Sequence, residues 1–208
     1  MSAPGIYERW ILPRLVDFAM RNKEATRYRA KTIPAASGRV LEIGAGSALN
    51  LRFYGAQVSH LYALDPSARL LQMARKKRPP AGFPVEYLET SAEEVPLDSR
   101  SIDTVVSTWT LCSVPDAARA LREARRVLKP GGLLLFTEHG YAPDRGVQAW
   151  QRRLDPLWSR IAGGCHLDRK IDRLIRDAGF DIFDLQNEYL KGPRPMTYTY
   201  SGRARPQA

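Results

Sequence analysis

Two acidic residues and two glycines stand in this sequence where they can bind a nucleoside. Glu42, Gly44 and Gly46 occupy alternate positions at the end of a short apolar run. Glycine has no Cβ, so the backbone there can turn tightly and approach a bound ligand closely. Asp65 follows Gly46 by 19 residues, a spacing at which a carboxylate can accept hydrogen bonds from both hydroxyls of a ribose. The pattern predicts a site for a cofactor that contains a ribose.

The glycine pattern separates two classes of such cofactor. Nicotinamide-binding proteins share this outline, but their G-x-G-x-x-G fingerprint places a third glycine where this chain has Leu49. That fingerprint seats a pyrophosphate on the N-terminus of a helix. Here an acidic residue, Glu42, precedes the two glycines. A cofactor with a ribose and no pyrophosphate therefore fits better.

The elements that must position these residues alternate between strands and helices. Helices are expected at 5–30, with a break or kink at Pro13, and at 70–78, 116–128 and 168–178. Strands are expected at 39–43, 60–64, 85–88, 102–107, 133–137, 180–185 and 196–202. This alternation favours a parallel sheet with right-handed crossovers, in which ligands bind outside the carboxyl ends of the strands.

Length and composition indicate one domain. The chain has 208 residues, of which 44% are hydrophobic and 26% charged, unlike a disordered, collagen-like or coiled-coil sequence. We expect an N-terminal helical lid (1–37), a cofactor-binding core (38–140) and a substrate-side segment with the last two strands (141–208). No run approaches the ~18 apolar residues of a membrane span, and residues 1–18 lack the apolar core of a signal peptide. A cytoplasmic location is expected.

The net charge of +10 invites an anionic partner. The basic side chains are spread over several helices beside acidic residues, whereas nucleic-acid-binding proteins concentrate them on one stripe. Nucleic acid is therefore not the expected partner; a weak anionic-membrane contact, through the N-terminal helix and the tail from Lys191, is the alternative. Cys112 and Cys165 show no C-x-x-C or zinc-type spacing, so no metal site or structural disulfide is expected. The oligomeric state is left open.

Two groups of motifs connect the chain to known families. Residues 38–140 contain Val40-Leu41-Glu42-Ile43-Gly44-Ala45-Gly46, Asp65, Ser91-Ala92-Glu93 and Leu128-Lys129-Pro130-Gly131-Gly132. In this order they resemble the motifs of class I S-adenosylmethionine-dependent methyltransferases of the methyltransferase domain 11 type. The second group is Thr110-Leu111-Cys112-Ser113-Val114, Glu138-His139, Leu154-Asp155-Pro156-Leu157-Trp158 and Gly164-Cys165-His166-Leu167. These resemble the methyltransferase-like protein 7 family of thiol methyltransferases and its soluble bacterial relatives.

The resemblance implies a Rossmann-like α/β fold, with three αβα layers around a mostly parallel seven-stranded sheet whose last strand is antiparallel. It implies S-adenosylmethionine as cofactor, with Gly44 and Gly46 under its methionine part and Glu42 ordering its amino group through the loop. Asp65 would hold the ribose, and the backbone N–H of Ala92 would reach adenine. The implied cofactor-binding set is Glu42, Gly44, Ala45, Gly46, Asp65, Pro66, Ser91, Ala92, Glu93, Thr108 and Thr110.

Two positions depart from the pattern of that family. Ser91 stands where the family usually has an aspartate that contacts the adenine amine, and Ala48 stands where it usually has glycine. Ala48 adds only one methyl group. The sequence leaves open whether either departure changes the cofactor affinity.

The implied reaction is methyl transfer from S-adenosylmethionine to a small lipophilic acceptor, with a thiol favoured by the resemblance. The sulfonium methyl is already activated, so the protein needs to hold the acceptor at near-attack distance and give its proton a path, and no metal is required. A thiol loses its proton more readily than an alcohol, so a mild base suffices. The alternatives are O-, N- or C-methylation of a phenol, lipid amine or quinone precursor and, in another class, a basic nucleic-acid-binding protein with a silent cofactor fold.

The acceptor side is expected to form from the ends of the fourth and fifth strands and from residues 140–167. The candidate catalytic residues are His139 and His166, and the candidate substrate contacts are Trp10, Cys112, Trp158 and Cys165. Each has a structural alternative: a hydrogen-bonded histidine, a small buried cysteine or a tryptophan of the core. The sequence leaves the acceptor and the general base open.

Overall fold

The computed structural model describes residue 5 and residues 7–207, without the side chains of residues 8 and 9. Residues 1–4, 6 and 208 of the predicted terminal segments lie outside the described residues. The strands are β1 (Gly38–Ile43), β2 (Val58–Leu64), β3 (Val85–Leu88), β4 (Ile102–Thr108), β5 (Leu128–His139), β6 (Phe180–Tyr189) and β7 (Tyr198–Pro206). Their order in one sheet is β3-β2-β1-β4-β5-β7-β6, with β1 to β5 parallel and β7 antiparallel to both neighbours. The predicted mostly parallel, seven-stranded, Rossmann-like sheet is confirmed.

Helices cover both faces of this sheet. They are α1 (Leu12–Ala19), α2 (Lys23–Thr32), α3 (Ala68–Ala74), α4 (Ala117–Val127), α5 (Arg145–Ile161) and α6 (Ile171–Asp177), with short helical turns at Tyr7–Ile11, Ile33–Ala35, Leu51–Phe53 and Arg194–Met196. Among the residues described, no helix combines the length and the apolar character needed to cross a membrane.

The core consists of two clusters of buried side chains, one on each face. Neighbouring residues of a strand point to opposite faces, so Val105 packs in one cluster with Phe136 and Val106 packs in the other with Val40. Helices α4 and α6 contribute to the first cluster, and α3 contributes to the second. Burial on both faces explains why the strands read as near-continuous apolar runs.

The N-terminal helical segment is interrupted at a different residue from the one predicted. Pro13 lies in the first turn of α1, where its missing N–H breaks no hydrogen bond, so it begins this helix rather than breaking one. The interruption lies at residues 20–22, where Asn22 Oδ1 accepts a hydrogen bond from Ala25 N at 2.8 Å and caps α2. A capping asparagine ends one helix and starts the next.

Helix α5 was not predicted, although Val147, Trp150, Leu154, Leu157 and Ile161 recur at helical spacing. Of its 17 residues only Val147 and Gln151 are buried, and Trp150, Leu157 and Ile161 are exposed. Pro156 lies inside the helix, a position that argues against a helix in the sequence. The strand predicted at 133–137 also begins earlier, at Leu128, because the chain stays extended through the Pro-Gly-Gly segment.

Candidate active site

A cavity of about 620 Å³ opens at the carboxyl ends of β1, β2, β4 and β5. Strand β1 lies between β2 and β4, so the strand order reverses there, and ligands bind at this point in open α/β sheets. The loops after β1 and β2 form one part of the wall. Helices α1 and α5 form another part, through Leu12, Val16 and Trp158. The topology therefore brings the nucleoside motif to the predicted edge of the sheet.

Most of the predicted site residues line this cavity. From the predicted cofactor set they are Glu42, Gly44, Ala45, Gly46, Asp65, Pro66, Ser91, Ala92, Thr108 and Thr110. From the predicted acceptor side they are Cys112, His139, Trp158 and Cys165. One continuous space thus joins the two groups, which the sequence predicted separately.

Three predicted site residues do not belong to the lining. Glu93 accepts hydrogen bonds from Ser91 Oγ and from Asp116 N, both at 2.6 Å, and so joins two loops. His166 Nδ1 lies 3.0 Å from Asp155 Oδ2. Trp10 is half exposed, with the guanidinium of Arg69 5.2 Å from its ring centroid. The structure therefore gives these side chains contacts away from the cavity, and their functional roles stay predictions.

Asp65 ties the loop after β1 to the loop after β2. Its Oδ2 accepts from Gly46 N at 2.9 Å and its Oδ1 from Ser67 N at 2.8 Å. Gly46 has a φ of +55° and Gly44 a φ of +68°, in the left-handed region that favours glycine. Burial raises the pKa of Asp65 above its usual value, and the two backbone hydrogen bonds lower it. Each carboxylate oxygen keeps one lone pair for a ligand hydroxyl, so the site fits a ribose.

The two departures from the family pattern have different structural settings. Ala48 has a φ of +58°, a left-handed conformation that costs a non-glycine residue about 1 kcal/mol, and its methyl group is buried. Ser91 Oγ donates to Glu93 Oε2 at 2.6 Å, so its hydroxyl stabilises its own turn. Ala92, beside it, is buried and lines the cavity.

A polar network under the glycine loop contains three residues that the sequence did not single out. Asn50 Nδ2 donates to Glu42 Oε1 at 2.8 Å and to Thr108 Oγ1 at 2.9 Å. Asn50 Oδ1 accepts from Arg29 Nε at 2.8 Å, and Tyr54 OH donates to Glu42 Oε2 at 2.8 Å. Arg29 and Asn50 line the cavity. No sequence motif marks Arg29, because it lies in a helix whose charges resemble those of a solvated surface.

The network sets the ionisation of Glu42. Burial raises its pKa to about 7, against the lowering effects of Tyr54, Arg29 and Asn50. Glu138, which is also buried, has its pKa raised to about 7 by the same cause. These two carboxyls therefore bind more protons in the folded protein than in the unfolded chain between pH 4.5 and about 7, and their contribution to the free energy of unfolding falls as pH rises through this window.

The fall in unfolding free energy with rising pH can be tested at Glu42. Glu42→Gln keeps both hydrogen bonds, since the amide oxygen accepts from Asn50 and the amide nitrogen donates to Tyr54. We expect the fall in unfolding free energy between pH 5 and 7, measured by urea denaturation, to become shallower by up to about 1 kcal/mol per pH unit. Glu86→Gln, at a half-exposed site, is the control and should keep the wild-type slope. An unchanged slope in Glu42→Gln would contradict the raised pKa.

Helix α1 is held against the glycine loop by a buried carboxylate. Ser47 Oγ donates to Asp17 Oδ1, and Arg21 Nε donates to Asp17 Oδ2 at 2.9 Å. Lys77 Nζ donates to the carbonyl oxygen of Ser47. Burial opposes ionisation of Asp17, but the bonds from Arg21 and Ser47 outweigh it and lower its pKa. An ionised Asp17 therefore fixes α1 beside the cavity.

Two thiols and an imidazole meet at the other end of the cavity. Cys165 Sγ lies 3.8 Å from His139 Nδ1, and the backbone N–H of His166 donates to the carbonyl oxygen of Cys112 at 2.8 Å. The neighbouring Cys112 thiol and the His139 ring lower the pKa of Cys165, while the same contact and burial raise the pKa of Cys112. Cys165 is therefore the more acidic of the two thiols.

Comparisons with known proteins agree with this geometry. A family model described as "Methyltransferase domain" matches residues 41–136. The chain is 38% identical over 157 residues to Thiol S-methyltransferase TMT1B of Rattus norvegicus, a match that covers 71% of this chain and 62% of the relative. The chain thus spans less than two thirds of that relative's length.

Two further similar proteins are matched over a larger share of their own length. Phosphatidylethanolamine N-methyltransferase of Cereibacter sphaeroides is 30% identical over 181 residues, which is 86% of this chain and 87% of the relative. A Haloferax volcanii methyltransferase, solved in complex with the Trm112 methyltransferase activator, shares the fold, with a TM-score of 0.73, 19% identity and full coverage of both chains. The chain therefore belongs to the S-adenosylmethionine-dependent methyltransferases that contain the Methyltransferase domain.

Proposed function

We propose that this protein transfers the methyl group of S-adenosylmethionine to the sulfur of a small lipophilic thiol. The observation that carries the proposal is the single cavity between the glycine loop with Asp65 and the buried end with His139. A methyl donor and an acceptor bound at these two ends would share one space. Such a space lets the protein hold two reactants at near-attack distance.

The cofactor end consists of residues suited to S-adenosylmethionine, which supplies an activated methyl group when bound. Asp65 accepts hydrogen bonds from the ribose hydroxyls. Gly44 and Gly46 let the backbone approach the methionine part, and nothing within 4 Å would meet a Cβ at Gly46. The network of Glu42 and Asn50 holds this loop from below.

The acceptor end is apolar apart from a few groups. Leu12, Val16, Trp109 and Trp158 line the cavity, which favours a lipophilic acceptor. His139 is buried and lines the cavity, and its ring acts on the acceptor side of the reaction. A thiol suits this environment because its pKa of about 8.5 lies far below that of an alcohol, so a weak base suffices to free the nucleophile.

The relatives support a thiol and supply the principal alternative. The rat relative is named a thiol S-methyltransferase, and it is more similar to this chain than the bacterial relative named for phosphatidylethanolamine. The bacterial relative favours N-methylation of a lipid amine as the second candidate function. A phenol or quinone-precursor acceptor completes the set of competing reactions.

The test is transfer of label from methyl-labelled S-adenosylmethionine to small thiols, beside matched alcohols, phenols and amines and a vesicle that contains phosphatidylethanolamine. We expect label in the thiols alone. Label in the phenols or in the lipid amine instead would overturn the thiol proposal. Cofactor binding without any transfer, together with a shift of labelled RNA or DNA at low salt, would favour the silent nucleic-acid-binding alternative.

His139→Gln should separate the acceptor end from the cofactor end. We expect kcat for thiol methylation to fall about 100-fold, the lower end of the effects seen when a side chain that acts at the reacting group is lost. The dissociation constant for S-adenosylmethionine, measured by calorimetry, should stay within about twofold. His60→Gln is the matched control, since His60 lies on β2 beside Glu86 and Tyr62 and outside the cavity lining. An equal loss of cofactor affinity in His139→Gln would contradict this assignment.

A further inference from the structure

Three soft donor atoms converge at the acceptor end of the cavity. The sulfur atoms of Cys112 and Cys165 and a ring nitrogen of His139 all lie within 4.8 Å of one another. The Cys165 Sγ to His139 Nδ1 distance is 3.8 Å. In a tetrahedral zinc site, bonds of about 2.3 Å to sulfur and 2.0 Å to nitrogen place the ligand atoms about 3.5–3.8 Å apart. The three atoms therefore need to contract by no more than about 1 Å to hold the ion.

The three donors come from different segments that the fold holds together. Cys112 lies in the turn after β4, His139 is the last residue of β5, and Cys165 follows α5. The hydrogen bond from His166 N to Cys112 O, at 2.8 Å, connects the first and last of these segments. Because the donors are far apart in the chain, their spacing shows none of the patterns of a zinc motif. The expectation that the chain lacks a metal site came from that spacing.

Other polar groups at this place leave room for an ion. The ring atom Nε2 of His139 is buried and has no hydrogen-bond partner within the part of the chain that the structure describes. Buried polar atoms are normally paired, so this nitrogen indicates that a bound group is part of the site. The indole of Trp158 lies beside the Cys165 sulfur. Both side chains line the cavity.

The ligand set is of the catalytic kind. Two cysteines and one histidine leave one position of a tetrahedral zinc ion for an exogenous ligand, as in alcohol dehydrogenase. All three donors line the cavity, so that position faces the space assigned to the acceptor. Two cysteine thiolates balance the charge of Zn²⁺, which lowers the cost of burying the ion. Soft thiolate donors select zinc over magnesium or calcium.

We propose that Cys112, His139 and Cys165 bind Zn²⁺ and that the acceptor thiol binds to this ion as a thiolate. This inference rests on the proposed function for the identity of the acceptor, and on the structure alone for the ion. On binding, the acceptor S–H bond breaks, its proton goes to solvent and a sulfur–zinc bond forms. In the transfer, the acceptor sulfur forms a bond to the methyl carbon while the carbon–sulfonium bond breaks, and that electron pair stays on the departing thioether sulfur.

Titration of the metal-stripped full chain with Co²⁺ tests the ion site directly. We expect one equivalent to bind with a thiolate-to-cobalt absorption in the near ultraviolet and the intense visible bands of a tetrahedral site, and Zn²⁺ to displace it. Adding thiophenol without S-adenosylmethionine should shift the visible bands. The absence of a thiolate-to-cobalt absorption would overturn the zinc site. Visible bands that do not change when thiophenol is added would overturn the binding of the acceptor as the fourth ligand.

Variants locate the ion. Cys165→Ser and Cys112→Ser should lose the thiolate absorption and weaken Zn²⁺ binding at least about 100-fold, with calorimetric binding of S-adenosylmethionine showing that each variant is folded. His166→Ala is the control for a second cluster, Asp155, His166 and Asp168, whose oxygen and nitrogen donors give no thiolate absorption. Wild-type cobalt spectra in Cys165→Ser would overturn the proposal. Should Cys112→Ser not fold, Cys165→Ser and the wild-type spectra decide alone.

The zinc inference and the proposed function fail in different ways. If Cys165→Ser and the metal-stripped protein both methylate thiols at the wild-type rate, the role of the ion in the reaction is overturned. The proposal of a thiol acceptor is then unaffected. A cobalt site that responds to thiophenol, without methylation of any thiol, supports the ion and overturns the proposed reaction.

Discussion

Asp65→Asn should weaken the binding of S-adenosylmethionine about 100-fold or more. The asparagine keeps the shape of the side chain but loses the negative charge, and one of its two end atoms becomes a donor. That donor faces the N–H of Gly46 or of Ser67, which are 2.9 Å and 2.8 Å from the carboxylate oxygens. Each hydrogen bond to a charged group contributes about 1.5–3 kcal/mol, so losing one ribose contact and weakening the other by removal of the charge accounts for the expected effect.

Calorimetric titration with S-adenosylmethionine measures this change. Asp98→Asn is the matched control, because Asp98 is exposed and follows no strand of the site. It should bind the cofactor with wild-type affinity. Wild-type affinity in Asp65→Asn would remove Asp65, and with it the loop after β2, from the cofactor site.

Gly44→Val should destabilise the fold as well as block the cofactor. A side chain there must adopt a φ of +68°, and its Cβ would lie 2.8 Å from Thr110 Cβ and closer still to the other Thr110 side-chain atoms. Thr110 cannot turn away freely, because its Oγ1 donates to Ile43 O or Thr108 O, at 3.1 and 3.2 Å. Backbone strain and overpacking together cost about 3 kcal/mol, or roughly 10 °C in Tm.

Gly46→Ala separates these two effects. Its φ of +55° gives a strain of about 1 kcal/mol, but among the described residues no atom beyond the two chain neighbours lies within 4 Å of the added Cβ. We expect a small loss of Tm and a clear loss of cofactor affinity, since the methyl group enters the cavity. Thermal unfolding of both variants with and without S-adenosylmethionine makes the comparison. Equal Tm values for Gly44→Val and the wild type would show that the contact with Thr110 is not rigid.

The parts of the site that could be predicted from sequence are those whose chemistry depends on residues close together in the chain. A glycine that must turn left-handed and a carboxylate at the end of a strand are specified within a few residues, so Gly44, Gly46 and Asp65 were predictable. The sheet was predictable for a related reason, since burial on both faces forces apolar runs. The strand order of the last two strands needed the family resemblance.

The parts that were missed depend on contacts between distant segments. Arg29 meets Asn50, which lies 21 residues later, only because α2 packs beside the glycine loop. Helix α5 has apolar residues at helical spacing but contains Pro156, and only Val147 and Gln151 of its residues are buried. Cys112, His139 and Cys165 were predicted one by one, and only the fold shows that they form a cluster.

The position of β7 has a consequence for how the protein is made. It is the last strand in the chain, yet it lies between β5 and β6 and pairs with both, and its Thr199 stands opposite His139 at the cavity. β5 ends at His139 and β6 at Tyr189, so both leave the ribosome before the strand that joins them. Until residues 198–206 emerge, both strands keep unpaired edges, which are sites of aggregation. The acceptor end of the cavity is therefore completed only after translation has passed these residues, and a nascent chain stalled before Tyr198 is a substrate for chaperones.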